Sequence, residues 1–270
     1  MSVRWIDRIH GKWHAAGSLG QFIQYFRNWR EVWDAYRSRS PLPPMILRDG
    51  LTLHHDPADD PILLFRELFV HRCYTRHWFY EPRKEDVVID IGANIGFFAV
   101  SLQWMARGVR VHSFEPAADA RARLQRNIDS NGLDAFVTIY PFAVTNAPGA
   151  VHLNAAALTG HRSLFDRQSA TGERGEAVPS ITLAQAVEMA GVDRIDFLKI
   201  DVEGSEVEIV EGADADTWGR IQRVVVEYHD LFRPGCRERV TQSLSAQGFP
   251  NLETLPEPSP EGLGLIRARR

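Results

Sequence analysis

Residues 87–98 read VVIDIGANIGFF, and this order joins a buried strand to a glycine turn and a helix start. Val87, Val88, Ile89 and Ile91 form a short apolar run suited to a strand covered on both faces, interrupted by Asp90 near its carboxyl end. Gly92 and Gly96 bracket a tight turn. Gly92 permits backbone geometry barred to other residues and lets a ligand approach the main chain, and Asn94 is one of the few other types that tolerate positive φ. A helix beginning near Gly96 aims unpaired N–H groups at the turn, which suits an anion or a carboxylate.

Two nucleotide-binding patterns use such a turn. The dinucleotide fingerprint requires GxGxxG, whereas this chain offers Gly92 and Gly96 with Asn94 between them and an acid, Asp90, two residues before the first glycine. That arrangement resembles motif I of class I S-adenosylmethionine methyltransferases, (D/E)xGxGxG, with Asn94 in place of the middle glycine. The plain alternative is a turn that only connects strand to helix.

Working outward, strand, turn and helix repeat from residue 86 onward. Val109–Phe114 is a second strand ending in Glu115 and Pro116, and the helix after it stops at Asn131 and Gly132. Val137–Tyr140 is a third, Ile195–Ile200 a fourth, and Val224 opens a fifth that reaches His229. Between the third and fourth lie a turn at residues 146–149, a short strand at 150–153 and a long polar loop through His161, Ser163 and Gly175. Thr182 with Gln185, and Ser205 with Glu208, read as capping boxes. Strand and helix repeated at this length predict a parallel sheet with helices on both faces.

Residues 1–80 have another texture. Four of the seven tryptophans fall in the first 40 positions, and Phe22, Phe26, Trp29, Trp33 and Tyr36 fall at helical spacing as one aromatic stripe. A helix docked on its own domain is the plain reading; an acceptor-site wall, a homo-oligomer surface or a basic membrane-surface helix are the others. Pro41, Pro43 and Pro44 end this part, and Asp49 and Gly50 suggest a hairpin. The expected division is a mainly helical extension with a lead-in hairpin over 1–80 and a cofactor-binding domain over 81–270.

Composition sets bounds. A chain of 270 residues with 44% hydrophobic content can bury a sizeable core. Net charge of −4 argues against a nucleic-acid binder acting through global charge, although residues 1–40 carry about +4. Two cysteines, Cys73 and Cys236, are too few for a disulfide framework. No apolar run approaches the roughly 20 residues of a membrane span. These features together predict a cytoplasmic protein.

In an open α/β sheet, ligands bind beyond the carboxyl ends of the strands near the point where strand order reverses. Glu115 lies where a second strand presents an acid to ribose hydroxyls, and a carboxylate accepts from both at once. Asp90 needs a partner to stay charged when buried, and a cationic cofactor's amine or the turn's N–H groups would serve. Lys199, Asp201 and Glu203 share one face by the two-residue period, as do Glu227 and His229. If their strands are neighbours, these groups converge on one rim, where they must be paired, metal-bound or functional. One alternative is a structural ion pair of Lys199 with Asp201 or Glu227.

DIGANIG at 90–96, FEP at 114–116, LKIDVEGSE at 198–206 and VEYH at 226–229 together resemble the FkbM family of S-adenosylmethionine-dependent methyltransferases. The likeness runs from about Leu47 past Tyr228, leaving the first 40 residues outside. It implies a Rossmann-like class I sheet of seven strands, the last antiparallel, and methylation of a hydroxyl on a sugar or natural-product small molecule. On this reading Asp90, Gly92, Ala93, Asn94, Gly96, Glu115 and Ala143 bind S-adenosylmethionine. Asp201 or His229 is the base, with Glu203 and Glu227 as orienting partners, and Tyr74, His161 and Ser163 contact the acceptor. The alternative is that Asp201, Glu227 and His229 ligate a divalent metal that lowers the acceptor's pKa. One departure stands out: the family's TLDD is TLAQ here, at 182–185. Two other function classes remain open from sequence, an NAD-dependent oxidoreductase using the same turn and a non-catalytic binding scaffold.

Overall fold

The computed structural model describes residues 15–77, 79–155, 162–163, 176–231, 233–256 and 262–270. The chain divides into two units, Met1–Pro57 and Ala58–Arg270. Residues 58–80, which the sequence reading groups with the extension, fall in the second.

In the first unit, α1 (Ala15–Tyr25) and α2 (Trp29–Ser38) are followed by the hairpin strands β1 (Met45–Ile46) and β2 (Thr52–Leu53), with Met45 opposite Leu53. The aromatic stripe is therefore not one helix. The chain breaks after Tyr25, and the stripe folds on itself: Phe22 meets Phe26, Trp33 and Tyr36 with ring centroids 5.4–5.5 Å apart. Arg27 N–H donates to Ile46 O and Asn28 Oδ1 accepts from Ile46 N–H, so turn and hairpin hold each other. Helical periodicity survives such a break, which is why the sequence hides it.

The second unit begins with α3 (Pro61–Phe65), capped by Asp60 and continued by a π turn over Arg66–Val70. Then come β3 (Val87–Ile91), α4 (Phe97–Met105), β4 (Arg110–Phe114), α5 (Ala118–Ser130) and β5 (Val137–Tyr140). Next are β6 (Ala143–Thr145), β7 (Gly149–Ala155), β8 (Arg162–Ser163), β9 (Glu176–Thr182), α6 (Leu183–Ala190), β10 (Phe197–Ile200), α7 (Glu206–Gly212) and α8 (Ala215–Gly219). The chain closes with β11 (Arg223–His229), α9 (Cys236–Ala246), β12 (Asn251–Pro256) and β13 (Leu263–Arg269).

The main sheet has seven strands in the order β12-β13-β11-β10-β3-β4-β5, and β13, the last in sequence, runs antiparallel to both its neighbours, β11 and β12. All five residues of β3 are buried, as an apolar run covered on both faces should be. Ile89, Ile91, Leu198, Ile200, Val224, Val226 and Ile266 belong to one core with Val207, Val210, Trp218 and Leu244 from the helices. Each such aliphatic side chain contributes about 1.5–3 kcal/mol on burial. Strand order reverses between β3 and β10, so a crevice opens at the carboxyl ends of those two strands.

Three local readings need correction. The segment after β5 is not only a short strand and a loop; β6, β9, β7 and β8 form a separate four-stranded sheet. Thr182 and Gln185 make the expected capping box, but Ser205 makes no side-chain cap on α7. The fourth strand ends at Ile200, and Glu203 has φ of +57°, so the two-residue period does not carry Glu203 onto the Lys199 face.

Candidate active site

The glycine turn leaves β3 at the crevice. Gly92 and Ala93 both donate their N–H to Phe114 O on the neighbouring strand, at 3.0 and 3.1 Å. Asn94 takes φ of +49° and donates its N–H to Glu115 Oε2 at 2.8 Å. The other oxygen, Oε1, accepts from Ala117 N–H at 2.9 Å. Thus the carboxylate gripped by the turn is the protein's own Glu115. Burial raises its pKa to about 6 against the pull of these two N–H groups.

The glycines serve internal packing as well as conformation. A Cβ on Gly92 would overlap the carbonyl oxygen of Asp201, and one on Gly96 would overlap the Leu124 side chain. Both have φ above +80° or close to it, where a side chain is disfavoured in any case. The close approach that the sequence assigns to a ligand is made by the adjoining strand end.

Asp90 is fully buried, and its partner is Lys199: Nζ lies 3.0 Å from Oδ1 and donates to Gly92 O at 2.9 Å. The lysine also reaches Asp201 Oδ2 at 3.5 Å. Burial pushes the Asp90 carboxyl up despite the lysine. Burial opposes the charge on Lys199 too, but Asp90 and Asp201 outweigh it and hold the proton firmly.

Beyond the lysine lies a cluster of acids. Tyr74 Oη is 2.7 Å from Glu227 Oε2 and 3.0 Å from Asp201 Oδ2, so one hydroxyl bridges two carboxyl groups. With a single proton, the hydroxyl donates to one of them at a time. The second contact is satisfied when the other carboxyl is protonated. Burial, then the charge of Asp201, pushes Glu227 up to about 8. Tyr74 sits edge-on to Phe98, and its segment is fastened by buried Arg267, which donates to Cys73 O and Arg76 O.

His229 is 2% exposed at the end of β11. Its Nδ1 lies 2.7 Å from Glu206 Oε1, and its Nε2 lies 3.5 Å from Glu203 Oε2 and 3.9 Å from Glu227 Oε1. Burial disfavours the imidazolium, yet the Glu206 hydrogen bond and the charges of Glu206, Glu203 and Glu227 raise its pKa to about 10. An imidazole that serves as the base must be neutral, and this environment favours the charged ring instead. One ligand atom each from Asp201, Glu227 and His229 lies within 4.8 Å of the others.

The sequence-predicted catalytic residues therefore come together, including Glu203, which arrives through a turn. Tyr74 joins them. Ala143 opens β6 in a small apolar cluster with Ala120 and with Ala117, whose N–H holds Glu115. Ser163 lies in β8, and His161 lies outside the described residues. Glu206 and Arg267 escaped sequence reasoning. Glu206 stands inside the LKIDVEGSE run, but as the first residue of a helix it looks like an ordinary N-terminal acid, and Arg267 looks like a surface charge on a terminal strand. A cavity of about 450 Å³, lined by Arg72, Arg76, His77, Tyr80 and Met105 among others, involves none of these site residues.

The residues fit S-adenosylmethionine. Asp90 Oδ2 is buried without a hydrogen-bond partner, and Glu115 follows β4 beside the glycine turn with further acceptor capacity for ribose hydroxyls. Comparisons with known proteins agree. The model of the "Methyltransferase FkbM domain" family matches residues 90–249. The 31-O-demethyl-FK506 methyltransferase FkbM of Streptomyces tacrolimicus is 33% identical over 232 residues, covering 75% of this chain and 87% of that one. Methyltransferase sdnD of Sordaria araneosa is 25% identical over 84% of this chain and 97% of its own. The crystal structure of a methyltransferase FkbM from Methylobacillus flagellatus KT shares the fold, with a TM-score of 0.53 at 17% identity over 72% of this chain and 46% of that one. With motif, sheet order and family match in agreement, the chain belongs to the FkbM family of S-adenosylmethionine-dependent methyltransferases.

Proposed function

We propose that the enzyme methylates a hydroxyl oxygen on a small-molecule acceptor, a sugar or another natural product. The observation that carries this reading is the Tyr74–Asp201–Glu227–His229 cluster at the crevice where the cofactor turn also lies. Bound S-adenosylmethionine supplies an electrophilic methyl group. The protein must then align a nucleophilic oxygen and take its proton. The name of the Streptomyces tacrolimicus relative, a 31-O-demethyl-FK506 methyltransferase, supports oxygen as the acceptor atom.

Glu227 is the carboxylate best matched to proton removal, because its pKa near 8 makes it more basic than an ordinary acid. Asp201 shares the Tyr74 hydroxyl with it, and charged His229 steadies the ionised pair. The pocket's acids favour neutral or cationic acceptors over anionic ones. The test is incubation of a panel of hydroxyl compounds with isotopically labelled S-adenosylmethionine, with product analysis for O-methyl groups. Methyl transfer only to nitrogen or carbon would overturn the reading.

A second reading of the cluster, favoured by the spacing of Asp201, Glu227 and His229, is a divalent-cation site that would acidify the acceptor hydroxyl. Loss of turnover on chelation, restored by added Mg²⁺ or Mn²⁺, supports it; turnover unchanged by EDTA removes it.

A further inference from the structure

Glu206 opens α7 and is fully buried, although a carboxylate gains nothing from burial unless its lone pairs are used. Its Oε1 accepts the N–H of Gly204 at 2.9 Å and meets His229 Nδ1 at 2.7 Å. Its Oε2 faces the buried Cys236 thiol at 3.8 Å. The oxygen that meets the ring is thus already an acceptor, so the proton in the 2.7 Å contact belongs to Nδ1. The opposite nitrogen, Nε2, faces Glu203 and Glu227. A hydrophobic side chain of similar volume would serve stability alone at least as well as a buried charge.

We propose that Glu206 is a positioning residue. It holds the Nδ1–H of His229 and so aims the Nε2–H at the carboxylates on the acceptor side. The same device orients imidazoles in metal sites, where removing the partner costs roughly ten- to hundredfold in affinity or activity. The role in turnover rests on the methyl-transfer reading, while the role in fixing the ring does not.

The test uses the full chain with ¹⁵N-labelled histidine, as wild type, Glu206→Gln and Glu206→Leu. The glutamine keeps an acceptor oxygen, so wild type and Glu206→Gln should both show a hydrogen-bonded proton on Nδ1 of His229, and Glu206→Leu should lose it. With a confirmed acceptor, kcat of Glu206→Leu should fall roughly ten- to hundredfold. The acceptor KM and cofactor affinity should stay within about twofold, and Glu206→Gln should retain most of the turnover. A wild-type His229 whose Nδ1 proton is not hydrogen-bonded would overturn the proposal, as would a folded Glu206→Leu with undiminished kcat. If the leucine variant does not fold, the wild-type and Glu206→Gln spectra decide. If wild type methylates no hydroxyl, the functional reading fails, and the spectra, which need no acceptor, still decide what Glu206 does.

Discussion

Lys199 and Asp90 are direct register partners on adjacent parallel strands, and the lysine Nζ lies 3.0 Å from the aspartate Oδ1. This pair ties the two halves of the site together, since the same ammonium holds the Gly92 carbonyl and reaches Asp201. Lys199→Met leaves Asp90 buried and uncompensated, so it should lower unfolding free energy by about 3–5 kcal/mol in urea titration. The double variant Lys199→Met with Asp90→Asn should be less damaged than Lys199→Met alone. Equal loss in both would mean that the charge pairing is not what the lysine contributes.

The two glycines should respond differently to alanine. At Gly92 the added methyl meets backbone, the Asp201 carbonyl, which cannot swing aside; at Gly96 it meets the end of the Leu124 side chain. Gly92→Ala should therefore destabilise the protein more than Gly96→Ala, although both pay for positive φ. Thermal unfolding by circular dichroism ranks them. Cofactor titration on the folded fraction then separates lost binding from lost structure.

The strands of the cofactor half were legible because Val87–Ile91 and Phe197–Ile200 are apolar runs that only a doubly covered strand explains. The rim cluster was legible because Asp201 directly follows one such strand and Glu227 and His229 close another. The Lys199–Asp90 pairing was not, since residues 109 positions apart meet only through strand order and register. The second sheet was hidden for a related reason: β6 and β8 have three and two residues, too short to show a period. Glu203 reached the cluster by a left-handed turn, which no strand rule anticipates.

Stability of the cofactor-free protein should fall as pH rises from about 5 to 10. Glu227 and Glu115 have folded pKa values raised to about 8 and about 6, so the folded state holds protons that the unfolded chain releases near 4.5. His229, raised to about 10, likewise contributes stability that is complete below 6.5 and lost as pH climbs through 10. In each window the folded state binds more protons, and the slope of unfolding free energy with pH is negative. Melting temperatures across this range check the sign. Glu227→Gln should flatten the part of the curve between about 4.5 and 8.

The pH dependence of turnover tests which group removes the proton. If Glu227 is the base, kcat/KM rises with pH through about 8 as the carboxyl ionises, and it declines near 10 as His229 loses its charge. Glu227→Gln should remove the lower limb and reduce the rate by roughly 10²–10⁴, the usual contribution of a general base. Tyr74→Phe provides a directional check. The tyrosine hydroxyl donates to the ionised carboxylate and so lowers its pKa; without it, the lower limb should move to higher pH. These profiles are to be measured with saturating cofactor, with and without EDTA, because a bound cation would ionise both carboxylates and displace the limb downward. A rate independent of pH between 6 and 9 in metal-free enzyme, with Glu227→Gln near wild type, would take the base role away from Glu227.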